Sequence, residues 1–203
     1  MNSAPARKLR VRRDWAGADE AGRGPLAGPV VAAAVLLPRR FDATGIDDSK
    51  RMTPAAREEA SKRIRDRAHF CIIAEDVPII DEINILRAAL SAMKRAFMGL
   101  GKCPMGGLVD GNQPVHGLSF PVQCVVKGDQ KYAQIAAASI LAKTFRDAMM
   151  RELSIIYPQY GFDHNFGYST PEHFRALKKH GPCPLHRRSF APIRELSQLC
   201  LEI

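Results

Sequence analysis

Three short apolar segments of this 203-residue chain each lead into acidic side chains. The first ends at Asp19 and Glu20, the second ends at Asp110, and the third is followed three residues later by Asp129. Each segment has the length and composition of a β-strand. In open α/β sheets, ligands collect at the carboxyl ends of parallel strands. If these three strands are parallel neighbours, the four carboxylates meet at one edge of the sheet.

The rest of the chain predicts a mixed sheet covered by helices. Residues 30–37 are apolar throughout, which indicates a buried strand, and we expect it to run antiparallel to the strand ending at Asp19 and Glu20. The helices beyond about Tyr157 would form a small C-terminal lobe. Predicted strands cover residues 15–20, 30–37, 70–77, 106–110 and 120–126, and predicted helices cover residues 54–68, 81–99, 130–157, 171–180 and 192 onward.

The net charge of +9 indicates a polyanionic partner. Five of the basic residues lie within residues 1–13, where there is no acid, so the remainder of the chain carries +4. We interpret residues 1–13 as a basic, disordered tail rather than a specific contact. No apolar segment of signal-peptide type follows the tail, and no segment has the length of a membrane span.

The five cysteines are odd in number and form no C-x-x-C pair, which argues against a zinc knuckle or a disulfide framework. They are typical of reduced thiols, so we expect a cytoplasmic protein.

The segment from Asp19 to Gly24 has its own chemical character. Adjacent carboxylates at the end of a strand suit a hard divalent cation, which prefers oxygen ligands. Gly22 and Gly24 let the backbone approach a bound group closely, and Arg23 between them offers a fork that suits a phosphate. The glycines also match the loose G-x-G-x-x-[GA] pattern of dinucleotide-binding loops. We reject that interpretation because prolines interrupt the turn and a strand follows where a helix is required.

Each carboxylate also has a simpler interpretation. Asp110 precedes Gly111, and Asp-Gly is a common turn dipeptide. Asp129 is well placed to cap the helix that follows it. Glu20 has a geometric difficulty, because adjacent strand residues face opposite sides of a sheet. It can join Asp19 only where the strand ends or twists, or through its backbone carbonyl.

The order and spacing of many short motifs resemble those of the bacterial ribonuclease HII family, the type 2 ribonucleases H. The resemblance covers about residues 15–192. The motifs are segment 17–35, Asp48-Ser-Lys50, Glu82-Ile-Asn-Ile85, Val109-Asp-Gly111, Lys127-Gly-Asp129, segment 136–143, Arg146-Asp147, Tyr157-Pro158, Gly167-Tyr168 and His186-Arg-Arg-Ser-Phe190.

This resemblance implies a ribonuclease H-like mixed five-stranded sheet flanked by helices, with a small helical C-terminal extension. The expected divisions are a tail at 1–13, a catalytic domain at 14–157 and the extension at 158–203. The family's four metal-binding, catalytic carboxylates fall on Asp19, Glu20, Asp110 and Asp129.

The family's substrate-binding residues can be carried over in the same way. Its Gly-Arg-Gly motif falls on Gly22, Arg23 and Gly24, and its 2′-hydroxyl-sensing tyrosine falls on Tyr168. Alternatively, Tyr168 only packs a turn before the next helix. Contacts to phosphates are expected from Arg23, Lys50 and Lys143, with further help from His186, Arg187 and Arg188, although these last three also fit a solvated basic loop.

One departure from the family concerns the residues before Tyr168. Many relatives carry a His-Lys pair just before the Gly-Tyr motif, whereas this chain has Asn165-Phe166 there and His164 one place earlier. The departure leaves Tyr168 intact but removes the basic residue expected to contact a neighbouring phosphate.

We therefore predict a monomeric endoribonuclease that cuts the RNA strand of RNA–DNA hybrids and incises 5′ of ribonucleotides embedded in duplex DNA. Two Mg²⁺ or Mn²⁺ ions would support an in-line displacement that leaves 5′-phosphate and 3′-hydroxyl ends. The alternatives are another nuclease of the same sheet type, such as a junction resolvase or a sister-type hybrid nuclease, and a non-catalytic nucleic-acid-binding module.

Overall fold

The computed structural model describes residues 9–199. Its sheet has five strands in the spatial order β3-β2-β1-β4-β5. Strand β1 is antiparallel to β2 and parallel to β4, and β4 is parallel to β5. The mixed five-stranded sheet with flanking helices confirms the predicted fold class. The strands are β1 Trp15–Ala21, β2 Val30–Leu36, β3 His69–Glu75, β4 Gly106–Asp110 and β5 Val122–Val125.

Seven α-helices lie among the described residues. Two of them, α1 and α6, begin as predicted, with a threonine side chain accepting a backbone N–H and a proline in the first turn. The helices are α1 Pro54–Arg67, α2 Val77–Ile83, α3 Ile85–Met98, α4 Ala133–Ile156, α5 Phe162–Asn165, α6 Pro171–His180 and α7 Ala191–Leu199.

Strand β2 is buried on both faces, as its apolar sequence predicts. Its odd-numbered residues, such as Val31 and Val35, pack against the alanine-rich first half of α4. Its even-numbered residues, such as Ala32 and Ala34, pack against α3 on the other face. Gly17 in β1 is equally constrained, because a Cβ there would collide with the α4 backbone at Gln134. These small residues bring α4 close beneath the strands that carry the carboxylates.

The prediction of one helix over residues 81–99 is wrong. Asn84 separates α2 from α3, and its backbone has a positive φ of 68° with ψ of 160°. Its side-chain oxygen accepts the N–H groups of Leu86 and Arg87, which caps α3. Asparagine is a strong N-cap residue, so a new helix can begin directly after it. The apolar periodicity continues across the break, so it gives no sign of the new helix start.

The C-terminal segment packs as a lobe on the second half of α4. Its buried core joins Met150 of α4 and Leu26 of the β1–β2 loop to Phe162, Leu177 and Ile193. Besides the predicted helices, this segment contains a 3₁₀ turn at Pro158–Tyr160 and the short α5. The loop after β1 therefore lies between the sheet and this lobe.

The prediction that residues 1–13 form a disordered tail needs correction for its last five residues. Leu9 is buried, and the Arg10 backbone bonds Lys131 and Ala133 on the far side of β5. The backbone groups of Arg10 thus replace water with protein partners, which holds this segment in place. Residues 1–8 lie outside the described residues.

No helix between residues 9 and 199 is long and apolar enough to cross a membrane. Over the same residues Cys71, Cys103, Cys124 and Cys183 are free thiols, and Cys200 lies outside them.

Candidate active site

The predicted carboxylates lie along one edge of the sheet. β1 and β4 are parallel neighbours, and Asp110, the last residue of β4, is in register with Val125 of β5. The condition set by the sequence, three parallel neighbouring strands, is therefore met. Asp19 is only 7% exposed and Asp129 only 9% exposed. Two of the four acids are thus largely withdrawn from water.

Mutual repulsion is evident in the electrostatics of this edge. Burial, followed by the charges of Glu20 and Asp110, raises the pKa of Asp19 well above its ordinary value. Burial also raises the pKa of Glu20, although the adjacent Arg23 guanidinium opposes the shift. The pKa of Asp129 is raised by burial and by the charges of Asp48 and Asp110. The four acids therefore act on one another despite coming from three different strand ends.

Local hydrogen bonds orient the carboxylates, and the structure settles the alternative for Asp129. Asp110 Oδ1 accepts the backbone N–H of Gly128 at 2.6 Å, which ties the end of β4 to the segment after β5. Asp129 lies inside a 3₁₀ turn at Gly128–Gln130, and α4 begins only at Ala133. Asp129 is consequently not the cap of α4. Glu20 lies within β1 rather than at its end, and its Oε1 pairs with Arg23 Nη1 at 3.2 Å.

This donor set fits a divalent cation in chemical character. Among the described residues no lysine, arginine or histidine pairs with Asp19. Its carboxylate has only the Glu20 N–H and the Ser139 hydroxyl to stabilise its charge. Buried carboxylates that repel one another are stabilised by a bound cation, and oxygen donors suit Mg²⁺ and Mn²⁺. Within residues 9–199, however, no three His, Cys, Asp or Glu side chains are arranged to hold an ion without rearrangement.

Asp48 is an acidic residue of this edge that the sequence analysis named only as part of a motif. It is 7% exposed, and its charge contributes to the raised pKa of Asp129. Its two carboxylate oxygens accept the backbone N–H of Lys50 and the side-chain amide of Gln130. The Asp48-Ser-Lys50 motif carried the signal that could have identified it.

The β1–β2 loop, residues 22–29, is held by two buried arginines. All three guanidinium nitrogens of Arg187 donate to backbone carbonyls of this loop. The acceptors are the carbonyls of Gly22, Arg23, Pro25, Gly28 and Pro29, at 2.6–3.2 Å. Arg146 donates to the carbonyls of Pro29, Ala27 and Phe166 at 2.9–3.0 Å. Gly22 is required here, since φ is 94° and a Cβ would collide with the Arg146 guanidinium.

The prediction that Arg187 contacts substrate is therefore wrong. Its side chain is fully buried, and every guanidinium nitrogen already has a carbonyl partner. Burial and the neighbouring Arg146 charge lower the pKa of Arg187 to about 9, so it remains charged at neutral pH. Arg188 is exposed, and only its backbone is engaged, by Asp81.

His186 also needs correction, because it is 1% exposed and belongs to a buried chain of hydrogen bonds. His186 Nδ1 accepts the Cys183 N–H, and the two imidazoles of His186 and His173 meet at 2.9 Å through their Nε2 atoms. His173 Nδ1 lies 2.9 Å from the Tyr168 carbonyl oxygen. All these atoms are satisfied when both rings are neutral, with His186 Nε2–H donating to His173 and His173 Nδ1–H donating to Tyr168. The pair holds the Tyr168 backbone rather than substrate.

Tyr168 itself faces the glycine loop. Its side chain is 42% exposed, and a Cβ built on Gly24 would lie 3.8 Å from its ring. That separation is an ordinary contact, and Gly24 does not have a positive φ. The fold thus requires glycine at position 22 but not at position 24, where the absent side chain leaves space beside Tyr168.

The basic side chains of the site are organised by Asp147. Its carboxylate bonds Lys143 Nζ at 2.7 Å and Arg57 Nη1 at 3.3 Å. Arg57 in turn donates to the carbonyls of Ser49 and Met52, which holds the loop that carries Lys50. Lys143 Nζ also lies 5.8 Å from the Tyr168 ring centroid. Asp147 therefore supports two of the predicted phosphate contacts, as expected for an acid on a helix.

At the departure from the family, Asn165 is buried and has a structural role. Its amide donates to the Tyr160 carbonyl, and its Oδ1 accepts the Gly167 N–H. His164 is exposed and lies between Asp163 and Glu172, 2.8 Å from each. Hydrogen bonds to Glu172 and Asp163 raise the pKa of His164.

The comparisons with known proteins agree with this arrangement. The family model described as Ribonuclease HII matches residues 16–193. Ribonuclease HII of Thiobacillus denitrificans is 53% identical over 181 residues, which are 89% of this chain and 88% of that protein. Ribonuclease HII 2 of Methylibium petroleiphilum is 54% identical over 183 residues, which are 89% of this chain and 83% of that protein.

A solved structure has the same fold. The crystal structure of ribonuclease H2 from Pyrococcus horikoshii aligns with a TM-score of 0.78 and 27% identity, covering 93% of this chain and 99% of that one. Sequence, fold and the arrangement of the sheet edge therefore lead to one conclusion: this chain belongs to the ribonuclease HII family and is a ribonuclease H endonuclease.

Proposed function

We propose that the protein hydrolyses the RNA strand of RNA–DNA hybrids and incises duplex DNA on the 5′ side of an embedded ribonucleotide. The observation that carries the proposal is the sheet edge where Asp19, Glu20, Asp110 and Asp129 repel one another. A fold has no structural need for buried carboxylates in mutual repulsion, and such groups mark functional sites.

In this proposal Asp19, Glu20, Asp110 and Asp129 hold two divalent ions, Mg²⁺ or Mn²⁺. When bound, such ions activate a water and stabilise the leaving oxygen of an in-line displacement. Asp48, which is linked to Gln130, adds negative charge beside Asp129 and supports the position of that carboxylate.

The substrate contacts follow from charge and exposure. Arg23, Lys50 and Lys143 would bind phosphates, because each keeps some exposure at or near the carboxylate edge. Tyr168 would contact the ribose 2′-hydroxyl, with the backbone at Gly22 and Gly24 on the opposite side of the sugar. The 2′-hydroxyl is the only group that distinguishes a lone ribonucleotide from its DNA neighbours.

The reaction transfers no group to the protein. The oxygen of a water molecule bonds to phosphorus as the bond between phosphorus and the 3′ oxygen breaks. The leaving oxygen gains a proton, and the products are a 5′-phosphate and a 3′-hydroxyl. The role of the chain is to hold the phosphate, the sugar and the ions in line.

The test is incubation with four labelled substrates: a hybrid, a duplex with one ribonucleotide, an all-DNA duplex and a cruciform. Each is run with Mg²⁺, Mn²⁺ or a chelator. We expect metal-dependent cuts in the first two, 5′ of the lone ribonucleotide, and none in the all-DNA duplex. Cleavage of the cruciform but not the hybrid would identify a junction resolvase instead. Binding without turnover under every condition would identify a non-catalytic module.

We also propose that the protein is a monomer and that it is located in the cytoplasm. It would act in DNA repair, because ribonucleotides embedded in DNA are lesions. Sedimentation of the purified protein with and without substrate tests the oligomeric state.

A further inference from the structure

A cleft of about 690 Å³ runs along the open edge of β5, outside the site described above. One wall runs from Gln123 in β5 to Val126 just after it, and the other wall is Arg10 of the docked N-terminal segment. Lys131 and Tyr132 complete the cleft between these walls. Because β5 is the last strand of the sheet, no neighbouring strand covers this edge.

The cleft is basic. Arg10 and Lys131 are exposed, and none of the residues lining the cleft is acidic. Within residues 9–199 the Arg10 guanidinium makes no hydrogen bond or ion pair, which leaves all its donors available. Lys131 Nζ donates to the Val126 carbonyl at 2.7 Å, which holds the ammonium at the rim with further N–H groups available.

Neither cationic side chain is needed to dock the N-terminal segment. That segment is held by the Arg10 backbone, whose N–H and carbonyl bond Lys131 and Ala133 at 2.9 Å, and by the buried Leu9 side chain. Arg12, by contrast, is used structurally, since it donates to Gln123 and lies over the Trp15 ring. The docking of this segment therefore does not explain why positions 10 and 131 carry positive charges.

The cleft begins at the carboxylate edge. Val125, in its wall, is the register partner of Asp110. Gln130, also in its lining, follows Asp129 directly and donates to Asp48. A nucleic-acid backbone leaving the carboxylates along β5 would consequently meet Lys131 and then Arg10.

We propose that this cleft binds the phosphodiester backbone of the substrate duplex on one side of the cleaved bond, through Arg10 and Lys131. The proposal rests on the proposed function for the identity of the duplex. Phosphate contacts of this kind add affinity without sequence preference, because each one releases counterions from the nucleic acid. The cleft would extend the footprint of the enzyme beyond the ribonucleotide that Tyr168 senses.

The test compares the double variant Arg10→Gln, Lys131→Gln with a matched control, Lys62→Gln, Arg67→Gln. The control removes two exposed charges from α1, outside the cleft. Binding is measured in chelator, by fluorescence anisotropy, against salt concentration. The probes are a long duplex with one central ribonucleotide and two shorter duplexes, each truncated close to the ribonucleotide on one side.

With the long duplex, we expect the cleft variant to lower the slope of log Kd against log salt by about 1.8, or about 0.9 for each lost phosphate contact. The difference from wild type should vanish for one of the two truncated duplexes and persist for the other. The control should keep the wild-type slope. An unchanged slope in the cleft variant, or an equal loss for all three duplexes, would overturn the proposal.

The assay separates this proposal from the proposed function. Binding in chelator requires no turnover, so a protein that fails to cut any ribonucleotide-containing substrate still reports on the cleft. Thermal unfolding of both double variants checks that the charge changes leave the fold intact, as the backbone docking of Arg10 predicts.

Discussion

Two regions of this molecule bury charge, and they do so in opposite ways. Around the β1–β2 loop, the side chains of Arg187 and Arg146 are fully buried, and their guanidinium nitrogens donate to backbone carbonyls of the loop. At the sheet edge, Asp19 is also buried, but its neighbours Glu20 and Asp110 are acids that raise its pKa. The buried arginines have hydrogen-bond partners of opposite polarity, whereas the buried carboxylates repel one another.

The difference separates structural charge from functional charge. A buried charge with enough hydrogen-bond partners stabilises the conformation of those partners, and here the partners belong to the loop that carries Gly22, Arg23 and Gly24. A buried cluster of like charges costs stability unless a ligand of opposite charge binds. The arginines therefore stabilise the loop, and a bound cation would stabilise the carboxylates.

The largest expected effect comes from neutralising the repelling cluster. We expect Asp19→Asn and Asp110→Asn each to lower turnover on a hybrid with Mg²⁺ by about 10³-fold or more, since the loss of metal support is worth several kcal/mol of transition-state stabilisation. Their free energies of unfolding should stay level or rise, because one repelling charge is removed. Steady-state kinetics and urea denaturation measure the two quantities. Near-normal turnover in either variant would show that the metal ligands are wrongly assigned.

Removing a satisfied charge should have the opposite signature. Arg187→Met leaves four loop carbonyls without a side-chain donor, since only the Pro29 carbonyl keeps Arg146. We therefore expect a loss of about 3–5 kcal/mol in unfolding free energy. Arg188→Met is the matched control, because that side chain is exposed and should change stability by less than about 0.5 kcal/mol. Equal effects of the two changes in urea denaturation would contradict the assignment of Arg187 to the fold.

The buried histidine pair predicts a pH dependence of stability. Burial, and then the charge of His173, lower the pKa of His186 to about 4 in the folded protein. The unfolded chain therefore binds more protons below about pH 6.5, so this stability is complete above that pH and is lost as the pH falls toward 4. The loss approaches about 3 kcal/mol at the lower end.

Urea denaturation between pH 7.5 and pH 5 measures this dependence, with the double variant His173→Gln, His186→Gln as comparison. The variant should have a lower free energy of unfolding at pH 7.5, and that free energy should fall less as the pH is lowered. The carboxylates contribute equally to the pH dependence of both proteins. If the free energy of unfolding changed with pH equally in the two proteins, the histidine pair would not be the cause of the pH dependence.

The smallest expected effect is at Tyr168, where the two regions meet. Tyr168→Phe keeps the ring and removes the hydroxyl, which makes no hydrogen bond within residues 9–199. We expect incision at a single ribonucleotide to slow by about tenfold, the value of one hydrogen bond, with little change in unfolding temperature. Tyr160→Phe is the control, because the Tyr160 hydroxyl donates to the Gly181 carbonyl and its loss should affect stability instead. If Tyr168→Phe incised at the wild-type rate, the role of Tyr168 would be limited to packing.

The distinction between the two kinds of charge was not accessible from the sequence. His186, Arg187 and Arg188 are consecutive basic residues, and a solvated loop or a phosphate-binding loop explains such a run equally well. The structure buries the first two and exposes the third. The partners of Arg187, such as the carbonyls of Gly22 and Gly28, lie about 160 residues earlier in the chain, so no local pattern reports them.

Asp48 and Asp129 illustrate the same limit. The sequence placed Asp129 at either a metal site or a helix cap, and only the 3₁₀ turn before α4 excludes the cap. The approach of Asp48 to Asp129 depends on Gln130 reaching across to the loop before α1. The docking of Arg10 beside Tyr132 likewise corrects a tail that composition alone described as disordered.

The sequence by itself determined the five strands, most of the helices, the family and the presence of four acids in or after three strands. These features depend on local periodicity and on the order of motifs, and both can be observed from residues that are close together in the chain. Only the tertiary structure decided which charges are satisfied, that glycine is required at position 22 but not at 24, and that a basic cleft lies along β5. Burial and hydrogen-bond partnership are properties of segments distant in the chain, and packing brings those segments together.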